Sequence, residues 1–323
     1  TQRLPRVVGV ADALPMIVTG NPIPAAQAEK IGLVDKLVAE DGLAESGVAF
    51  ARSVIGQADH PVSSKRTDKI GEIASDSDFF DEFRKTQMRR LKGFEAPEAC
   101  IEAVKAAIDL PYEEGVKKER ELFGKLVTGT QSKALRHVFF AERAAAKIDD
   151  IPADTPVLPV KKVGILGAGT MGGGIAMNFL TAGYAVTILE REQEALDRGV
   201  SIIRKNYERS AAKGRFTADQ VERAMGLLTP TLDMDDLADC DLVIEAVFEN
   251  MDVKKDVFRK LDGIVKPGAI LASNTSYLNV DEMAAETKRP GSVLGLHFFS
   301  PANVMRLLEI VRAAKTEPAV LKT

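Results

Sequence analysis

The stretch "KKVGILGAGTMGGGIAMNFLTAGYAVTILERE", residues 161–192, constrains this chain more than any other. A short β-rich apolar run meets Gly167, Gly169 and Gly172 in the spacing GxGxxG. A helical pattern opens near Thr170 and Met171, and a second apolar run ends at Glu190. A strand, a glycine loop and a helix in that order form the fingerprint of a dinucleotide site. The first glycine permits the tight turn, the second lets the backbone approach a pyrophosphate, and the third lets the helix pack close to the strand. The pyrophosphate is expected at the helix N-terminus, by Thr170 and Met171, where free N–H groups and the helix dipole favour an anion.

Glu190 ends the second apolar run, where a carboxylate accepts hydrogen bonds from an adenosine ribose and repels a 2′-phosphate. That favours NAD over NADP. Arg191 is a counter-indication, because a neighbouring arginine pairs with such a phosphate.

The apolar runs "KVGIL", "AVTIL", "DLVIEAV", "AILAS" and "SVLGLHF" alternate with helical patterns. This rhythm predicts an α/β, Rossmann-like domain over 161–323, with a mostly parallel sheet covered by helices on both faces. Residues 1–148 read instead as all-helical. "VADALPMIVTG" stops at Gly20, "NPIPAAQAEKIGLV" breaks at Gly32, and "DGLAESGVAFARSVI" forms a third helix. Three longer helices follow between 96 and 148, with apolar faces made by Ile101, Val104 and Ile108, by Leu122, Phe123 and Leu126, and by Leu135, Val138 and Phe139. Those faces are expected to be buried. The proline-bearing stretch "DDIPADTPVLPV", 149–160, is placed as the linker.

Composition narrows the function. A net charge of −4 gives no basic excess for nucleic acid or an anionic membrane. No run of about 18 apolar residues marks a membrane span. The two cysteines, Cys100 and Cys240, stand far apart without a CxxC, which fits a reducing cytoplasm rather than a disulfide framework or zinc site. "TQRLPRVVGV" lacks a signal-peptide core and an initiator Met, so the chain reads as beginning inside a domain.

Chemistry is sought where strands end, because ligands of open α/β sheets bind at their carboxyl ends. Of the three histidines, His60 lies in a loop and His137 on a charged helix, and both read as surface or packing residues. His297 follows the run "SVLGL". Alcohol oxidation by hydride transfer needs a group to take the hydroxyl proton, and a neutral histidine suits it. Glu309, in "RLLEIV", is an acid among apolar residues and is costly to bury unpaired. A His297–Glu309 pair accounts for both, with the carboxylate fixing the tautomer. A structural ion pair, or an edge-strand glutamate facing water, fits the spacing equally. In "SNTS", Asn274 and Ser276 are placed to reach a nicotinamide amide or a substrate oxygen, although a turn capping the next helix accounts for them at least as well.

Taken together, "GAGTMGGGIA", "VIEAVFENMDVKK", "LASNTS" and "GLHFFSP…VMRLLEIV" resemble the L-3-hydroxyacyl-CoA dehydrogenases. Over essentially its whole length the chain resembles the α-subunit type of multifunctional fatty-acid oxidation enzyme, in which an enoyl-CoA hydratase is fused to that dehydrogenase. The segment from Thr1 to about Val38 resembles the C-terminal part of a crotonase-type hydratase. The resemblance implies NAD as cofactor and an acyl-CoA substrate. It implies His297 as catalytic base with Glu309 as its partner, Ser276 near the substrate hydroxyl, and Asn274 near the cofactor and the histidine. Glu249 and Lys254 match positions near the nicotinamide end of NAD. Ser300 stands where some relatives carry Asn. For the intact enzyme the resemblance implies a thiolase β-subunit partner and self-association. The hydratase's catalytic glutamates match nothing in 1–148, so no hydratase activity is expected there. The chain is expected to be a fragment. Two other readings stay open on the sequence. One is a dehydrogenase of the 3-hydroxyisobutyrate or 6-phosphogluconate type, which shares the glycine loop. The other is a non-catalytic NAD-binding or interaction fragment.

Overall fold

The computed structural model describes every residue except 58–59, 88–90 and 146. The chain divides into two compact units, Thr1–Lys147 and Ile148–Thr323. In the first, the described residues form helices α1 (Leu4–Val8), α2 (Val10–Thr19), α3 (Ala25–Lys30), α4 (Leu43–Val54), α5 (Asp78–Gln87), α6 (Ala96–Asp109), α7 (Tyr112–Thr128) and α8 (Thr130–Ala145). Gly20 takes up the left-handed conformation that ends α2, at φ 66°. The core of this unit joins Val10 and Leu14 of α2, Phe80 and Phe83 of α5, and Ile101 and Val104 of α6.

The expectation for α7 and α8 needs correction. Leu122 and Leu126 are only half-buried, and Phe123, Leu135, Val138 and Phe139 are exposed. Helical spacing shows that a face is apolar but not whether another layer covers it, and α8 contains no buried residue at all.

The second unit holds β1 (Lys162–Leu166), α9 (Thr170–Thr181), β2 (Ala185–Leu189), α10 (Gln193–Ala211), α11 (Ala218–Gly226), β3 (Leu228–Thr231), β4 (Leu242–Glu245), α12 (Met251–Ile264), β5 (Ile270–Ser273), α13 (Val280–Ala284), β6 (Val293–Phe298), β7 (Leu308–Val311) and α14 (Pro318–Lys322). One seven-stranded sheet runs β3-β2-β1-β4-β5-β6-β7. Every pair is parallel except β6 with β7. The architecture is thus Rossmann-like, with β3 and the antiparallel β7 added to the five strands read from the sequence. The chain runs outward from β1 to β3 and then returns to place β4 on the other side of β1, which puts a crevice at the carboxyl ends of β1 and β4.

The central strands are buried on both faces, as parallel strands with helices on either side must be. Val163 and Ile165 point to the layer of α9, α10, α11 and α14, where they meet Ile175, Ile203, Tyr207 and Val320. Leu166 and Val243 point to the layer of α12 and α13, against Phe258, Leu261 and Met283. Burying each such aliphatic side chain stabilises the fold by about 1.5–3 kcal/mol relative to exposure. The 149–160 segment belongs with this unit: Ile151 is buried in its core, and Leu158 and Val160 pack against it. Cys240 is also interior, and burial pushes its thiol up to about 11. Among the described residues no helix is long and apolar enough to cross a membrane.

Asp241 ties the amino end of β1 to the start of β4. Its carboxylate accepts the N–H groups of Lys161 and Lys162 at 2.8 and 3.0 Å and the Lys266 ammonium at 2.6 Å. Burial works to raise its pKa, but the hydrogen bonds from Lys266, Lys162 and Lys161 together outweigh that and hold it at about 2 against an ordinary 3.8. The folded value lies below the unfolded one, so this stabilisation is complete above about pH 4 and fades as pH falls towards 2. Asp241→Asn is expected to cost about 2 kcal/mol at pH 7 and almost nothing near pH 2. Urea unfolding across that range measures the difference.

Candidate functional site

The first part of the site is the β1–α9 junction. Gly167 has φ +98°, and a Cβ there would lie 2.8 Å from the Ala246 carbonyl oxygen on the neighbouring strand's exit. Gly172 is buried in the first turn of α9, and a Cβ there would overlap the Gly167 carbonyl oxygen at 1.8 Å. Only glycine therefore lets the helix begin so close to the loop. Gly169 differs. Its φ is an unstrained −73°, it is exposed, and a Cβ would meet no atom within 4 Å. The protein itself does not require glycine there, whereas a ligand approaching the backbone would. Thr170 is exposed and Met171 half-buried, at the turn whose N–H groups have no intrahelical acceptor.

Glu190 directly follows β2 beside this loop. Its carboxylate accepts Ala168 N–H at 3.0 Å and Arg191 N–H at 2.8 Å, so it also braces the loop it faces. A cavity of about 270 Å³ opens next to it, lined by Gly169, Thr170, Glu190, Arg198, Asn206 and Asn303 among others.

The second part lies at the ends of β6 and β7. His297 and Glu309 are directly opposite in the antiparallel register. The imidazole Nδ1 is 2.8 Å from Glu309 Oε2. With Nδ1–H donating to the carboxylate, Nε2 carries the lone pair. The Phe299 ring packs 4.6 Å from the imidazole, centroid to centroid. Glu309 is an edge-strand glutamate, half exposed, yet it turns to the histidine and not only to water.

Between these parts lie the ends of β4 and β5. Asn274 Oδ1 accepts Phe298 N–H at 2.9 Å, and Asn274 N–H donates to the Glu245 carbonyl at 2.8 Å, so this side chain fastens the end of β6 to β5. Asn274 and Ser276 cap no helix. The turn is closed by Thr275, whose Oγ1 accepts Leu278 N–H, and the α13 N-cap is Asn279. Ser276 is exposed, with its N–H 3.0 Å from Glu249 Oε1. Glu249 also accepts Thr275 Oγ1–H at 2.6 Å. Burial pushes the Glu249 carboxyl up, but the hydrogen bonds from Thr275, Ser276 and Lys254 bring it below its ordinary value. Lys254 is fully buried on the first turn of α12, and its ammonium lies 2.7 and 2.9 Å from the two Glu245 oxygens and 3.1 Å from Glu249 Oε2. Hydrogen bonds to Glu245 take two of the three N–H donors of the ammonium, and Glu249 stands beside it at ion-pair distance.

Sequence reasoning missed Glu245, Ser273 and Thr275. The signal was present: Glu245 is an acid inside the apolar run "DLVIEAV", the same anomaly that marked Glu309. His60 and His137, read as bland, are both exposed.

A doubly wound parallel sheet with a glycine loop at its switch point, an acid just after β2 and a histidine–carboxylate pair along the same row of strand ends defines a dinucleotide-binding domain of the dehydrogenase class. The chain belongs to the 3-hydroxyacyl-CoA dehydrogenase family, because residues 162–323 match the model of that family's NAD-binding domain. Its cofactor is NAD, and the open approach over Gly169 fits one. Residues 1–67 match the enoyl-CoA hydratase/isomerase model. The whole chain is 40% identical to a peroxisomal bifunctional enzyme of Cavia porcellus and 99% of it is 35% identical to the peroxisomal fatty acid beta-oxidation multifunctional protein AIM1 of Arabidopsis thaliana, spanning 45% of each. A crystal structure of FadB2 from M. tuberculosis matches 51% of this chain and 58% of its own, at 44% identity and a TM-score of 0.50. The 3-hydroxybutyryl-CoA dehydrogenase of Escherichia coli matches 51% of this chain and 35% of its own, at 40% identity and a TM-score of 0.50. The chain is therefore a match to the multifunctional β-oxidation enzymes along its whole length, and covers less than half of theirs.

Proposed function

We propose that this chain carries the site that oxidises L-3-hydroxyacyl-CoA to 3-ketoacyl-CoA in fatty-acid β-oxidation, within a multifunctional hydratase and dehydrogenase. In this reading 1–148 is the helical C-terminal portion of the hydratase with its linking helices, and 161–323 is the NAD-binding domain. The observation that carries it is the 2.8 Å His297–Glu309 pair at the strand ends of an NAD-binding sheet.

Bound NAD supplies the hydride acceptor. Gly167 and Gly169 in the loop, with Thr170, Met171 and Gly172 in the first turn of α9, hold its pyrophosphate, and Glu190 takes the adenosine ribose. Glu249 and Lys254 lie towards the nicotinamide end. His297 Nε2 removes the 3-hydroxyl proton, and Glu309 stabilises the resulting imidazolium. Ser276 lies near the substrate hydroxyl, and Asn274 keeps the end of β6 in place.

Reduction of acetoacetyl-CoA by NADH tests this reading. Turnover of hydroxyisobutyrate in place of hydroxybutyryl-CoA would overturn it. Hydrogen bonds to charged groups contribute about 1.5–3 kcal/mol. Glu309→Gln is therefore expected to lower kcat/KM roughly 10- to 100-fold. Half-exposure of Glu309 screens the interaction and places the effect towards the lower end.

Self-association and a thiolase β-subunit belong to the proposal for the longer enzyme, and co-purification reads both. Cysteine usage supports a reducing compartment such as the cytoplasm, while relatives carry peroxisomal and glyoxysomal names. Fractionation of the source cells decides between them.

A further inference from the structure

The dehydrogenase reading assigns no role to Glu245, although it is the most enclosed charged side chain at the site. Glu245 is 0% exposed at the end of β4. Its Oε2 accepts Ser273 Oγ–H at 2.8 Å and its Oε1 accepts Val247 N–H at 2.8 Å, while both oxygens bind the Lys254 ammonium. Lys254 reaches on to Glu249 Oε2, and Glu249 Oε1 holds Thr275 Oγ1 and Ser276 N–H. A continuous polar chain thus runs from a fully buried carboxylate to the exposed serine turn.

The sheet order says why this chain matters. The glycine loop leaves β1 and His297 lies near the end of β6, with β4 and β5 between them. A dinucleotide extended from the loop towards the histidine must cross the ends of β4 and β5, where Glu249 and Ser276 form the surface.

We propose that Glu245 is a positioning residue for the cofactor cleft: through Lys254 it fixes Glu249, and through Glu249 the Thr275–Ser276 turn. The inference rests on the dehydrogenase reading of the cleft. Two carboxylates share one ammonium in this chain. Without the Glu245 charge, Lys254 has Glu249 as its single anionic partner and draws it away from the turn. Lys254 is fully buried between the two carboxylates, so its ammonium holds Glu249 in place from beneath the surface of the cleft.

The test is NADH fluorescence titration of the full chain together with thermal unfolding, for Glu245→Gln, Glu249→Gln, the pair of them, and the uncharged double variant Glu245→Gln/Lys254→Met. Glu245→Gln is expected to weaken NADH binding on the order of 10-fold. Adding Glu249→Gln should weaken it no further, because both act through the same contact. The Glu245→Gln/Lys254→Met variant leaves no unpaired buried charge and is expected to recover thermal stability without recovering NADH affinity. A merely structural residue behaves otherwise: its effect adds to that of Glu249→Gln, and affinity returns together with stability. Either of those results overturns the inference. An unsubstituted chain that binds NADH while Glu245→Gln binds equally well overturns it alone. An unsubstituted chain that binds no NADH overturns the reading of the cleft and this inference with it.

Discussion

Replacing His297 by alanine is expected to lower the rate of acetoacetyl-CoA reduction roughly 10²- to 10⁴-fold, the usual contribution of a positioned general acid or base, and to leave NADH affinity unchanged. The two outcomes follow from where the residue stands. Its imidazole projects from near the end of β6, is held at Nδ1 by Glu309, and makes no hydrogen bond to the glycine loop on β1. The strand loses little when the ring is removed, because His297 is only half-buried and its partner Glu309 is returned to water. Undiminished reduction by the alanine variant, with NADH still bound, removes His297 from the chemistry whatever the fold.

The second large effect separates two glycines to which the motif gives different roles. Gly172→Ala forces a Cβ onto the Gly167 carbonyl oxygen, at 1.8 Å, backbone against backbone. Overpacking a close-packed site costs about 1–3 kcal/mol and sometimes more, and here neither partner has a side chain that can swing aside. Loss of thermal stability together with loss of NADH binding is expected. Gly169→Ala meets no protein atom and keeps an ordinary φ of −73°. Its stability should be unchanged or slightly raised, since alanine restricts the unfolded chain more than glycine. NADH binding should nevertheless fall, because the added methyl stands on the surface that the pyrophosphate approaches. Calorimetry and NADH titration on the same two variants resolve the cases. Equal stability loss at both positions, or unimpaired binding by Gly169→Ala, contradicts this division of labour.

These positions also show how far the sequence could be read. Periodicity placed five of the seven strands, because strands buried on both faces are written as unbroken apolar runs such as "KVGIL" and "AVTIL". It did not establish β3, "LTPT", which is short, contains a proline and lies at the edge of the sheet. Helical spacing found α7 and α8 but not the exposure of Phe123 and Phe139, since an apolar stripe says nothing of what covers it. At the site, an acid among apolar residues drew attention to Glu309, while Glu245 made the same argument unnoticed from inside a strand.

The amino-acid sequence by itself determined the strand–loop–helix that receives a dinucleotide, the α/β rhythm behind it and the residue types its chemistry needs. Each of those is local, set by glycine spacing, apolar period and side-chain functional groups over a few tens of residues. Only the tertiary structure decided that Glu309 faces His297, that Asn274 reaches Phe298, and that Lys254 is enclosed between Glu245 and Glu249. Those partners are brought together by strand order and register, which depend on how distant segments bury their apolar faces together. No spacing along the chain encodes that outcome.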